Sequence, residues 1–170
     1  MRGDLVGAGD RWIPEDEYQL ILARVPIACV DLLPLSAEAS PRVGLILRQT
    51  PAGPGWCLVG GSVLRNEPIA DALRRHLIAT LGSGTSLHPE SLTYATTIEY
   101  FTQPGIGDFH DPRKHAIAHT YAGVCSGTPE PAGEADRFAW FALDRLPSEE
   151  EFGFGQGRVV KQVLAKLGLS

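Results

Sequence analysis

Residues 61–82 read GSVLRNEPIADALRRHLIATLG, and their spacing decides how the rest of the chain is read. Ile69, Leu73, Leu77 and Leu81 recur at every fourth position, the stripe that one face of an α-helix buries against a sheet. Glu67 and Pro68 open this helix, and Gly82-Ser83-Gly84 stops it. Glu67, Asp71 and Arg75 follow at spacing four along one face and read as a charged ladder. On another face, positions i, i+3 and i+4 are His76, Ala79 and Thr80.

Outward from this helix the chain alternates apolar runs with Pro/Gly breaks. A short helix is expected over 15–24 and ends at Pro26. Strands are expected over 27–35 and 42–48, forming a hairpin, with Pro34 near the strand end or on a bulge. A turn over 50–55 leads to a short strand over 56–59. Downstream, strands are expected over 91–102, 115–125 and 137–143, and a closing helix over 157–167. Strands, a helix, further strands and a final helix indicate an α+β fold, a mixed sheet sandwiched between helices, rather than a doubly wound one.

The 170 residues, 44% hydrophobic and 21% charged, suit one domain with a buried core over about 15–167. A net charge of -5 argues against a broad nucleic-acid surface, which requires a clustered basic face. A few local arginines and backbone amides still suffice for a small anionic ligand. No apolar run is long enough to span a bilayer, and MRGDLVGAGDRW lacks a signal-peptide core, so a cytoplasmic location without membrane partners is expected. Cys29, Cys57 and Cys125 each fall within an apolar segment and read as buried reduced thiols.

Gly61, Glu67, Arg75, Leu77 and Gly82 stand in register with the Nudix box, and the flank 45–61, LILRQTPAGPGWCLVGG, resembles the approach to that box. The chain thus resembles the Nudix hydrolase superfamily and, within it, the GDP-mannose mannosyl hydrolase branch. The step Arg24-Val25-Pro26-Ile27, the strand carrying Asp31 and the ending Ala79-Thr80-Leu81-Gly82 carry the second likeness. The resemblance implies a Nudix fold, a nucleoside-diphosphate-linked ligand such as a nucleotide sugar, a Mg²⁺ or Mn²⁺ cofactor and a homodimer. It also implies that Glu67 and Arg75 pair as scaffold with Gly61 and Gly82. Arg48 would contact the diphosphate, and the Gly60-Gly61 backbone would face substrate and metal.

The box departs from this pattern where chemistry needs it most. Glutamates on one helical face share a Mg²⁺ that neutralises phosphate charge and activates water. His76, Ala79 and Thr80 occupy those positions, and imidazole, methyl and hydroxyl groups are poor substitutes for hard carboxylate oxygens. Late in the branch a Gln ligand and a His base precede an Asp-x-x-x-Trp strand. The matching segment here is Glu134-Ala135-Asp136-Arg137-Phe138-Ala139-Trp140, in which Glu134 is the residue left to bind metal or catalyse. Two functions follow: a divergent hydrolase using Glu134 and a relocated base or metal, or a Nudix-fold binding module that has lost hydrolysis.

Other groupings have both a functional and a structural reading. His110, His115 and His119 with Asp108 and Asp111 form either a metal or base site or scattered structural histidines. The run 152–157, FGFGQG, is a phosphate cradle or a flexible lead into the last helix. Tyr100, Phe101, Phe109 and Trp140 are a stacking surface or core.

Overall fold

The computed structural model describes residues 13–169. The N-terminal stretch 1–12 read above lies outside the described residues. Helix α1 (Glu15–Leu22) precedes strands β1 (Ile27–Ser36), β2 (Val43–Thr50), β3 (Gly53–Cys57) and β4 (Val59–Ser62). Helix α2 (Ile69–Leu81) leads to β5 (Thr85–Leu87), β6 (Thr93–Phe101), β7 (Phe109–His110), β8 (Ala116–Gly127) and β9 (Arg137–Phe141), and α3 (Gln156–Leu167) closes the chain. The sheet runs β3-β2-β1-β8-β6-β7, with β4 on β1, β5 on β8 and β9 on β2. The β1–β8 pair is parallel from Ile27↔Ala116 to Ser36↔Cys125, and the β1–β2 hairpin is antiparallel, so the sheet is mixed.

Strand β1 is apolar on both faces because helices cover both. One layer packs Val30 and Leu32 against Ala72, Leu73, Leu77 and Leu81 of α2. The other packs Leu33 and Leu35 with Val159, Val160, Val163 and Leu164 of α3. The expected stripe of α2 is buried through Leu73, Leu77 and Leu81, and Gly82 leaves the helix at φ 81°. Pro34 falls between the two antiparallel partnerships of β1, after the last β4 pair at Leu32 and before the β2 pair at Leu35.

The structure corrects the expected strand 56–59. Strand begins at Gly53, where the pairing Thr50↔Gly53 closes a tight hairpin, and it breaks at Leu58. The chain then crosses from β2 to β1, so that β4 pairs Gly60 with Asp31 and Gly61 with Val30. That crossing carries the double glycine onto the central strand. The expected turn over 50–55 therefore shrinks, and the short strands β5 and β7 are additions that periodicity could not show.

Candidate functional site

The loop ahead of α2 is held by an arginine fork. Arg75 Nε donates to Glu67 Oε1 at 2.6 Å, and Nη2 donates to Glu67 Oε2 at 2.7 Å and to the Ser62 carbonyl at 2.9 Å. Glu67 Oε2 also accepts the Leu64 N–H, and its side chain is only 4% exposed. These bonds hold the Glu67 carboxyl below the usual range. Asp71 does not join a ladder: it pairs with Arg74, because the fork saturates Glu67 from the other side. Glu67→Ala should cost roughly 3 kcal/mol in urea unfolding, since it strands a half-buried guanidinium and the Leu64 amide. A loss below about 1 kcal/mol would show that the fork is a solvated pair.

His76 takes the adjacent box position but turns to the same carbonyl. Its Nε2 lies 3.0 Å from Ser62 O, and since a carbonyl only accepts, Nε2 carries the hydrogen. Burial lowers the imidazole pKa, which keeps the ring neutral. The ring fills the space over Gly61, where a Cβ would stand 2.5 Å from His76 Cε1. Ala79 is exposed, and Thr80 is 3% exposed with its carbonyl accepting the Ala132 N–H.

On the α3 side of β1 a cleft of about 70 Å³ opens. Asp31, Arg48, Gly60, Gly61, Arg113 and Lys114 form its polar lining, with Tyr100, Phe154 and Gln156 among its walls. Asp31 is 8% exposed, and among the described residues no hydrogen bond or ion pair reaches its carboxylate. Burial pushes its carboxyl up to about 7; Lys114 opposes this, Glu134 adds to it, and Arg48 opposes it. Gly60 lies against it so closely that a Cβ would stand 2.3 Å from Asp31 Oδ1. Lys114 reaches Ser62 Oγ at 3.4 Å, and Gln156 is spent inside the wall, accepting from Leu58 N–H and donating to Tyr100 OH.

Arg48, Gly60 and Gly61 line this cleft, and Glu134 pairs with Arg48. Arg48 Nη1 and Glu134 Oε2 are 2.7 Å apart, while Arg48 Nε is buried with no hydrogen-bond partner among the described residues. Glu134 keeps a raised pKa from burial, opposed by Arg48, Arg113 and Lys114. It sits on the loop that leads from β8 to β9, which docks on the end of α2 through Glu130 N–H to Leu81 O and Ala132 N–H to Thr80 O. Sequence reading missed Lys114 and Arg113, placed Asp111 only in the histidine grouping, and took Asp31 only as part of a resemblance. A carboxylate inside the apolar run IACVDLLPL was the available signal.

The histidine grouping does not assemble. His110 bonds the Thr102 carbonyl, His119 bonds Thr97 Oγ1, and His115 stacks on Phe101. Asp111 instead forks onto Arg113. Of the aromatics, Tyr100 and Phe109 are core, and Phe101 and Trp140 are half-buried. All three thiols are buried and free, as expected.

A divalent cation does not fit the donor set on α2. His76 gives its Nε2 hydrogen to a carbonyl, Ala79 has no donor, and Thr80 is enclosed. Among the described residues no three His, Cys, Asp or Glu side chains converge as a metal site. Glu134 and the Gly60 carbonyl, the remaining metal candidates, have Arg48 as the nearest charged partner of the first rather than each other.

A family model described as "Domain of unknown function (DUF4916)" matches residues 8–169. Among solved structures, one described as a "posible asymmetric diadenosine tetraphosphate (Ap(4)A)" hydrolase from Jonesia denitrificans is 32% identical, with 86% of this chain and 98% of that chain covered and a TM-score of 0.76. The NUDIX domain of Shewanella oneidensis NrtR, solved with ADP ribose, is 17% identical over 91% of this chain and 99% of that chain, at a TM-score of 0.59. A curated relative, the low-salt glycan biosynthesis protein Agl8 of Haloferax volcanii, is 32% identical over 98 residues, or 58% of this chain. The chain spans 62% of that relative's length. The fold is that of Nudix hydrolases, as the box register implied.

Proposed function

For a chain that belongs to the DUF4916 family and carries the Nudix fold, we propose that the cleft binds a nucleoside-diphosphate-linked compound such as a nucleotide sugar, with α2 serving as scaffold rather than as a Mg²⁺ platform. The observation that supports this reading is the convergence of Arg48, Arg113 and Lys114 around the unbonded Asp31, beside the double glycine. Arg113 and Arg48 are balanced by Asp111 and Glu134, which leaves Lys114 as the cation for ligand phosphate. The cleft volume is far below the roughly 300–1,000 Å³ of sites that enclose a whole ligand. One end of the compound therefore enters, and the rest lies over the rim.

Calorimetric titration with ADP, GDP and their sugar esters tests the reading. Lys114→Ala should lower the affinity for the best of them about tenfold through loss of a charge-assisted contact. Absence of binding by every compound, or an unchanged affinity in the variant, would count against it. A hydrolytic reading has one observation in its favour: the Asp31 carboxyl, pushed up to about 7 in the cleft, is suited to take a proton from water. Turnover of any of these esters, lost in Asp31→Asn with binding retained, would select that reading.

A further inference from the structure

We propose that Phe154 and Arg113 form a stacking platform at the mouth of the cleft that receives the nucleobase of the bound compound, an inference that rests on the nucleotide reading of the cleft given above. The run 152–157 enters α3 through a tightly packed kink. Gly153–Gly155 forms a kinked turn, and within it Phe154 leaves helical geometry at φ 56°, ψ 19°. A bulky L side chain in left-handed conformation costs on the order of 1–2 kcal/mol, and such outliers persist where the surroundings over-determine them.

Those surroundings are visible. Gly153 lies so close to the β2–β3 hairpin that a Cβ would stand 2.7 Å from Cys57 Sγ and 2.8 Å from Thr50 Cγ2. A Cβ on Gly55 would in turn stand 2.6 Å from Gly153 N. The glycines thus press the turn onto the strand, and the Phe154 side chain becomes a wall of the cleft. Ordinary core packing needs no such backbone, since Phe109 and Phe152 are buried nearby without it.

Arg113 completes the platform. Its guanidinium carbon lies 4.6 Å from the centre of the Phe154 ring, and Nε and Nη2 each donate to Asp111 at 2.9 Å. Asp111 is buried, accepts the Arg113 N–H as well, and is tied through its own N–H to the Phe101 carbonyl. The fork edge of the guanidinium is therefore occupied and one face lies on Phe154, while 44% of the side chain is exposed at the cleft. A guanidinium plane fixed in this way stacks on a planar heterocycle, and stacking accepts any base because every base has a π-face. A second pair, Arg158 of α3 over Phe109 of β7 at 4.6 Å, does not line the cleft and serves as an internal control.

Calorimetry with ADP and with pyrophosphate separates base from phosphate recognition. The wild type should bind ADP about tenfold or more tighter than pyrophosphate. Phe154→Leu and Arg113→Lys should each lose about tenfold for ADP with pyrophosphate affinity held within about twofold, a value that also reports an intact cleft. Phe154→Tyr should retain ADP affinity, and Arg158→Lys should leave both ligands unchanged. A Phe154→Leu protein that binds ADP like the wild type, or that loses ADP and pyrophosphate alike, overturns the platform alone. A wild type that binds neither ligand overturns the nucleotide reading and the platform with it.

Discussion

Asp31→Asn will stabilise the protein by on the order of 3 kcal/mol at about pH 8 and leave it nearly unchanged at about pH 4. The sign follows from the direction of the shift. Burial raises the folded-state carboxyl from its ordinary 3.8 to about 7, so the native state holds a proton that the unfolded chain has already released. Native stability is then complete below the unfolded value, falls as pH rises from about 4, and levels off above about 7. Lys114 and Arg48 reduce the penalty on the charged form and Glu134 increases it. Asparagine keeps the shape and has no charge to desolvate. Urea melts of both proteins across this window give a difference curve in which the raised Glu134 carboxyl largely cancels. Parallel melts at every pH would mean that Asp31 is solvated in the native state.

The second large effect is expected at Gly60. Alanine there would place its Cβ 2.2 Å from the Val30 carbonyl and 2.9 Å from Asp31 Cα, backbone atoms that cannot rotate away. Either β4 leaves β1 or the central strand shifts, and we expect a loss of about 3 kcal/mol or more in denaturant unfolding. Gly105→Ala supplies the contrast: its φ is 85°, but nothing lies within 4 Å of the added carbon. That change should cost only about 1 kcal/mol, from backbone strain alone. Equal losses at the two sites would mean that close approach of β4 to Asp31 is not what fixes Gly60.

The sequence made the local features of this fold legible and left its long-range pairing hidden. The period of Ile69, Leu73, Leu77 and Leu81 announced α2, because it follows from helical geometry within a few turns, whereas the Glu67–Arg75 fork was implied by the resemblance. Strand β1 was visible as an apolar run, but its parallel alignment with β8 depends on segments far apart in the chain. That alignment puts Asp31 beside Thr120 and sets the start of β8, with Lys114 just ahead of it, at the cleft. No local pattern shows such a meeting. Phe154 was hidden for another reason: flanking glycines announce freedom, whereas here they permit close packing that removes it.

Glu134 shows how a residue singled out in the sequence can acquire a different role in the structure. The resemblance implied a metal or catalytic role for it, and the structure pairs it with Arg48, a residue of the cleft lining. There it faces Arg48 rather than the α2 positions that carry metal ligands in the resembled branch. Its carboxylate neutralises an arginine of the cleft lining. The electrostatics of the cleft are consequently those of a nearly balanced pocket, in which Lys114 and the protonation state of Asp31 set the charge available to a ligand.

The proposed division of labour makes α2 a support and leaves recognition to the groups around Asp31 and Lys114. Titrating ADP in the presence of a chelator, and again in excess Mg²⁺, bears on that division directly. The same affinity within about threefold in both conditions is the expected result. Binding that appears only with the cation, or cleavage of a nucleoside-diphosphate ester that requires it, would contradict the account.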